Sequence, residues 1–277
     1  MLEFGDRVVV SGSERAQFLE FARVAARQAG EAILPCFRRP LEIDNKLGGA
    51  GFDPVTEGDR AAETTLRRLI QARYPAHGIL GEEFGLKPGN GLTWVIDPID
   101  GTRAFMSGMV HWGLLLGLFD GQEPIVGVMY QPFTRELWAG DGSHAWFQRG
   151  TDTPVAIRTR STGSLDMATL GTTNPKLIPT TAGRAAYDQL EARVRLARYG
   201  GDCYVYAMVA MGFMDLGLDG GLQAYDVMGL IPIVKGAGGV FTNWAGGSAC
   251  MGGDVLASGN AVLHQCALDV LKPGVQV

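Results

Sequence analysis

The stretch Trp94-Val95-Ile96-Asp97-Pro98-Ile99-Asp100-Gly101-Thr102 runs from three apolar residues into two carboxylates three positions apart. A short apolar run that ends in turn residues reads as a buried strand, so Asp97 and Asp100 are delivered to a sheet edge. Pro98 fixes the backbone between them, and carboxylates so spaced can converge on hard cations that prefer oxygen ligands. Gly101 permits a close turn. Thr102 adds a hydroxyl and a backbone N–H where a helix is expected to start, a place that favours an anion. The pattern suggests metal below and phosphate above. A plain D-P-x-D-G turn capping a helix suits the same letters, and the fragment in isolation leaves these two readings level.

Working outward, two further acidic positions stand in similarly apolar settings. Gly81-Glu82-Glu83 follows the apolar pair Ile79-Leu80, and Asp226 follows Tyr225 at the start of an apolar helical pattern. Alone, a strand-end Glu is usually solvated and a helix-start Asp is usually a cap. Together with Asp97 and Asp100 they supply enough oxygen ligands for two or three magnesium ions, which suits phosphoryl transfer.

The remaining pattern is mixed. Ser13 is expected to cap a helix with Phe18, Phe21, Ala25, Ala29 and Ile33 on its buried face, ending near Pro35. Thr56 and Asp59 form a capping-box pair ahead of a second helix with Ala62, Leu66, Leu69 and Ile70 inward. Between the two, Gly48-Gly49-Ala50-Gly51 reads as a mobile loop able to fold over a ligand, with Lys46 beside it as a residue that could meet phosphate or a third metal. Residues 112–119 and 125–130 pair through Asp120-Gly121, and 135–139 with 144–148 extend that sheet. A polar stretch at 151–162 places a lobe boundary near 155, giving an N-terminal lobe 1–155 and a C-terminal α/β lobe 156–277. In the second lobe helices are expected over 182–192, 203–211, 226–236 and 260–271, and strands over 195–199, 215–218, 240–242 and 255–257. The group Trp138, Trp146 and Phe147 reads as core or a subunit interface, and Arg158 with Arg160 as a solvated strand face.

Composition narrows the classes. The 277 residues are 46% hydrophobic, with a formal net charge of -5 and a pI near 5.4, so no basic footprint for nucleic acid is visible. Cys36, Cys203, Cys250 and Cys266 are scattered without a C-x-x-C pair, which predicts free thiols in a reducing cytoplasm. Glu3, Asp6 and Arg7 interrupt any export-signal pattern, and the longest apolar run is far too short to span a membrane.

The ordered set Gly81-Glu82-Glu83, the Trp94 to Thr102 run, and Tyr225-Asp226 followed by Gly236-Ala237-Gly238-Gly239 resembles the inositol monophosphatase superfamily of magnesium-dependent, lithium-sensitive phosphatases. The resemblance is clearest from Asp53 to Asn243. It implies a layered αβαβα fold, two or three Mg2+ held by Glu82, Asp97, the Ile99 carbonyl, Asp100 and Asp226, and phosphate held by Gly101 and Thr102. It also implies that Asp59 and Thr102 orient the attacking water, that Glu82 shares in catalysis, and that the enzyme is a homodimer acting on a small phosphorylated metabolite; Glu83 is a further candidate site residue.

Finer features are similar to the histidinol-phosphate phosphatase branch: Arg103-Ala104-Phe105, Thr172-Thr173-Asn174-Pro175, Tyr199-Gly200-Gly201-Asp202-Cys203-Tyr204, and Tyr225 before Asp226. On that resemblance Arg103, Gly201, Asp202 and Asp219 form the substrate wall, with Asp202 receiving a cationic substrate. The expanded Gly48 to Gly51 loop and Leu222-Gln223-Ala224 depart from that branch. An inositol-1-phosphate or broad sugar-phosphate phosphatase is the enzymatic alternative. A regulatory protein that binds a transcription partner is the alternative of another class.

Overall fold

In the computed structural model, residues 5–39, 44–45 and 54–272 are described. Lys46 and the Gly48 to Gly51 loop lie outside them. Helix α1 (Gly12–Ile33) starts from Ser11, not Ser13. The reason is local: Ser11 Oγ accepts the Glu14 N–H while the Glu14 carboxylate accepts the Ser11 N–H at 2.9 Å, a reciprocal pairing that Ser13 has no partner to make. The short strands β1 (Asp44–Asn45) and β2 (Pro54–Val55) pair with each other. Helix α2 (Glu57–Arg73) opens with the expected Thr56–Asp59 capping box.

An eight-stranded sheet follows from β3 (Gly78–Gly81), β4 (Gly85–Lys87), β5 (Thr93–Asp100), β6 (Gly113–Phe119), β7 (Pro124–Gln131), β8 (Glu136–Gly140), β9 (Ala145–Arg149) and β10 (Val155–Ala156), in the order β10-β9-β8-β7-β6-β5-β3-β4. Among the described residues of this sheet, only β3 and β5 pair in parallel. The short helix α3 (Thr102–Met106) follows β5. The second sheet holds β11 (Thr169–Thr172), β12 (Leu196–Tyr199), β13 (Leu216–Leu222), β14 (Val240–Asn243) and β15 (Gly253–Ser258), ordered β12-β11-β13-β15-β14. Around it lie α4 (Thr181–Glu191), α5 (Cys203–Ala210), α6 (Ala224–Met228), α7 (Ile231–Gly236) and α8 (Ala261–Leu271).

Three apolar layers organise these elements. Alternation along β5 and β6 sends Trp94, Ile96, Leu114 and Leu116 toward α1 and α2, and Val95 and Leu115 toward α5, α6 and α7, which lie between the two sheets. The outer face of the second sheet is covered by α4 and α8 through Tyr187, Leu190, Leu263 and Ala267. The result is the αβαβα sandwich expected from the resemblance. Gly117, Gly127 and Gly140 let the middle helices lie directly on the large sheet, since a Cβ at these positions would stand 2.7, 2.2 and 2.4 Å from backbone atoms of Met228, Gly229 and Pro232.

The single helix expected over 226–236 is two helices. Pro232 lacks the N–H that would bond the Met228 carbonyl, so the ladder breaks at Gly229-Leu230 and α7 restarts with Pro232 in its first turn. No strand carries Arg158 and Arg160. Arg160 is not a solvated cation either, because its guanidinium pairs with the fully buried Asp215 carboxylate. The aromatic group is divided between faces: Trp138 and Phe147 pack in the middle layer, and Trp146 against the α1 and α2 side.

Candidate metal and phosphate site

The C-terminal end of β5 is irregular, with a register shift between Asp97 and Asp100. That shift turns both carboxylates toward α6, whose first turn carries Asp226. One oxygen from each of Asp97, Asp100 and Asp226 lies within 4.8 Å of the other two. Each is held by a backbone donor: Asp97 accepts the Ile99 N–H at 3.0 Å, Asp100 the Cys203 N–H at 2.6 Å, and Asp226 the Gln223 N–H at 2.7 Å. Three separate elements therefore orient the three carboxylates.

Burial, then mutual repulsion, pushes these acids toward the protonated form. Asp97 and Asp100 are raised well above the usual carboxylate range, Asp97 by burial and then Glu82, and Asp100 by burial and then Asp202. Asp226 is raised to about 7 by burial, with the Gln223 N–H opposing and Glu82 adding to it. Such a group is electrostatically incomplete without a cation, and its all-oxygen donor set suits a hard divalent ion.

Beneath it, Asp59 is buried on α2. Its Oδ2 accepts the Thr56 N–H at 2.8 Å and the Thr56 hydroxyl at 2.6 Å, whereas Oδ1 is buried without a protein partner. An orphaned buried acceptor costs about 1–3 kcal/mol, so it marks a place for a donor such as water. Burial lifts the Asp59 pKa to about 7, against the Thr56 hydrogen bonds. Thr102 donates its hydroxyl to the Ile99 carbonyl at 3.1 Å, which leaves its oxygen as an acceptor only. Gly101 sits at φ 88°, and a Cβ there would meet the His111 carbonyl at 2.7 Å. Only glycine fits that turn.

A cavity of about 410 Å³ opens above these residues, lined by Glu82, Asp100, Gly101, Thr102, Arg103, Asp202, Asp219 and Asp226. Asp202 begins α5 at φ 43° and ψ -138°, yet its side chain makes no capping bond. Burial and then the neighbouring Asp219 raise its pKa to about 7, with Arg103 pulling the other way. Asp219 is tied by both oxygens, accepting from Thr172 Oγ1, the Thr173 N–H and Tyr206 Oη at 3.1, 2.7 and 2.9 Å.

Two expected wall and site residues fall elsewhere. Gly201 lines the neighbouring cavity on the other side of its loop, because the left-handed Gly200 and Asp202 turn it toward Val205. Glu83 is not in the cavity lining; its N–H is bound at 2.8 Å by Glu63. Glu63, the Cys203 N–H and Tyr206 also bear on the site, through Glu83, Asp100 and Asp219, and no short-range motif marks them. Glu63 alone left a trace, an acid on the apolar stripe of α2.

The profile of the inositol monophosphatase family matches residues 14–274. The chain belongs to the inositol monophosphatase family. Among relatives of this family member, the chloroplastic bifunctional phosphatase IMPL2 of Arabidopsis thaliana is 35% identical, over 95% of this chain and 77% of that one. A histidinol-phosphatase from Chlorobaculum parvum is 34% identical, over 92% of this chain and 97% of its own. The solved structure of an inositol monophosphatase from Zymomonas mobilis superposes with a TM-score of 0.82 at 36% identity, covering 95% of this chain and all of that one. As in its family, this chain is a phosphoric monoester hydrolase acting on small phosphorylated substrates. No helix among the described residues is long and apolar enough to cross a membrane.

Proposed function

We propose that this family member is a magnesium-dependent histidinol-phosphate phosphatase. The observation that carries the substrate is Asp202, a cavity carboxylate with no capping bond, on strained backbone, beside a second carboxylate at Asp219. Histidinol phosphate brings an ammonium and an imidazole next to its phosphate. Inositol phosphate brings only hydroxyls, which give a half-buried carboxylate no charge to answer.

In this reading Glu82, Asp97, the Ile99 carbonyl, Asp100 and Asp226 hold two or three magnesium ions. When bound, magnesium neutralises phosphate and leaving-group charge and makes water more acidic. Thr102 then accepts a hydrogen bond from the attacking water, and the unpartnered Oδ1 of Asp59 receives its proton. Gly101 lets the phosphate approach the backbone. Arg103 and Asp202 grip the rest of the substrate. Lithium inhibition belongs to the same reading.

A phosphate-release panel in magnesium tests it, with histidinol phosphate, inositol 1-phosphate, fructose 1,6-bisphosphate and adenosine 3',5'-bisphosphate. The expected result is a preference for histidinol phosphate of about a hundredfold, a ratio that needs dedicated polar contacts. Equal rates, or a preference for inositol 1-phosphate, would remove the histidinol assignment and leave the hydrolase.

A further inference from the structure

The turn after β3 carries Glu82, and a carboxylate from a different element holds it. Glu63, on α2, has no exposed surface. Its Oε2 accepts the Glu83 N–H at 2.8 Å and its Oε1 the Phe84 N–H at 3.2 Å. Arg67, one turn further along α2, donates Nε to Oε1 at 2.7 Å and bridges to the Gly85 carbonyl. Gly81 completes the fit, because a Cβ there would stand 1.9 Å from Oε1. On the other side, the Glu82 N–H donates to the Ile96 carbonyl at 3.2 Å, one residue before Asp97. Glu82 is thus pinned between the strand that bears Asp97 and, on α2, a buried carboxylate paired with the half-buried Arg67.

Glu63 follows Asp59 by four residues, one turn along the same helix face. A buried ion pair gives little stability over well-packed apolar residues of the same volume, so packing alone does not account for an acid within the stripe of Ala62, Leu66 and Ile70. What the pair does provide is direction. Two backbone N–H groups bound to one carboxylate fix the plane of the turn and hence the line along which Glu82 enters the cavity. We propose that Glu63, with Arg67 as its counter-ion, is a positioning residue that sets the magnesium affinity of the site through Glu82, touching neither metal nor substrate. The proposal rests on the reading of Glu82 as a metal ligand given above.

Titration calorimetry of Mg2+ with the full chain, as wild type, Glu63→Gln, Glu82→Gln and the double variant, tests it, with a melting temperature in chelator for each. Glutamine keeps the shape and one acceptor oxygen. Glu63→Gln is expected to weaken Mg2+ binding by about tenfold, in line with the loss of ligand-supporting groups in other metal sites. In the Glu82→Gln background the same change is expected to add less than about twofold, since both act through one ligand. A lowered melting temperature with unchanged Mg2+ affinity overturns the proposal, as does equal weakening in both backgrounds. Wild-type Mg2+ binding by Glu82→Gln overturns the ligand assignment and the proposal with it. Weakened binding by Glu82→Gln beside an unaffected Glu63→Gln overturns the proposal alone. Should Glu63→Gln not fold, Arg67→Met decides: weakening by about threefold or more supports the role, and unchanged affinity removes it.

Discussion

At Asp202 the backbone adopts φ 43° and ψ -138°, a conformation that L residues seldom take and that costs on the order of 1–3 kcal/mol. A residue kept for capping would make the capping bond, and Asp202 makes none. On the proposed reading its carboxylate, beside Arg103 and Asp219, receives a cationic ligand. A charge-assisted hydrogen bond lost from such a site costs about 2–3 kcal/mol, so Asp202→Asn is expected to cut kcat/KM on histidinol phosphate by about 30- to 150-fold. Little change is expected on inositol 1-phosphate, and an equal fall on both substrates would show that Asp202 is not the selector. Asp59 makes a separate prediction at the same scale. Asn at this position keeps the size but loses the carboxylate proposed above to take the proton. Asp59→Asn is therefore expected to lower kcat by about 10²- to 10⁴-fold with a small change in KM, measured at saturating magnesium. A near wild-type kcat would remove Asp59 from the proton path.

Among the elements, those written in local signals were the legible ones. The Thr56–Asp59 box, the carboxylates at the ends of β3 and β5, and the 113–131 hairpin each depend on residues a few positions apart, and they form as expected. The layered fold followed from the family resemblance. Elements set by distant partners were not legible. Strand β11 is short and polar-flanked, and takes its place from β12 and β13 on either side. Likewise, Tyr206 reaches Asp219 across α5 and β13, and Glu63 reaches the 83–84 turn twenty residues away, with no short-range pattern in either case. The misplaced start of α1 yields a test. Ser11→Ala removes the reciprocal bond to Glu14 and is expected to cost about 1 kcal/mol by urea unfolding. Ser13→Ala is expected to stay within about 0.5 kcal/mol, as for an ordinary surface change. The reverse order would contradict the observed cap.

Across the whole molecule, the site joins the large sheet, the middle helices and the second sheet around a concentration of acid. This has a consequence for stability and pH. Asp59, Asp202 and Asp226 are raised to about 7 and Asp219 to about 6 in the folded chain, against 3.8 for an ordinary Asp. Between these values the folded chain holds more protons than the unfolded one, so stability is fully present below about pH 4 on this account and is lost as pH rises through 6 to 7. The chelated protein is expected to melt lower at pH 8 than at pH 5.5, and added magnesium to raise the melting temperature more at pH 8. A flat profile in chelator would mean that the acids do not repel one another as their burial and spacing require.

On the proposed reading this acid cluster hydrolyses a phosphate ester only when a divalent cation joins it. Phosphate release from histidinol phosphate, followed while Mg2+ is titrated into chelated wild type and Asp226→Asn, tests it most directly. The expected result is no turnover in chelator, saturable activation of the wild type, and activity lower by about two orders of magnitude or more in the variant at any magnesium concentration. Full turnover by the wild type in metal-free buffer, or wild-type activation of Asp226→Asn, would contradict the account.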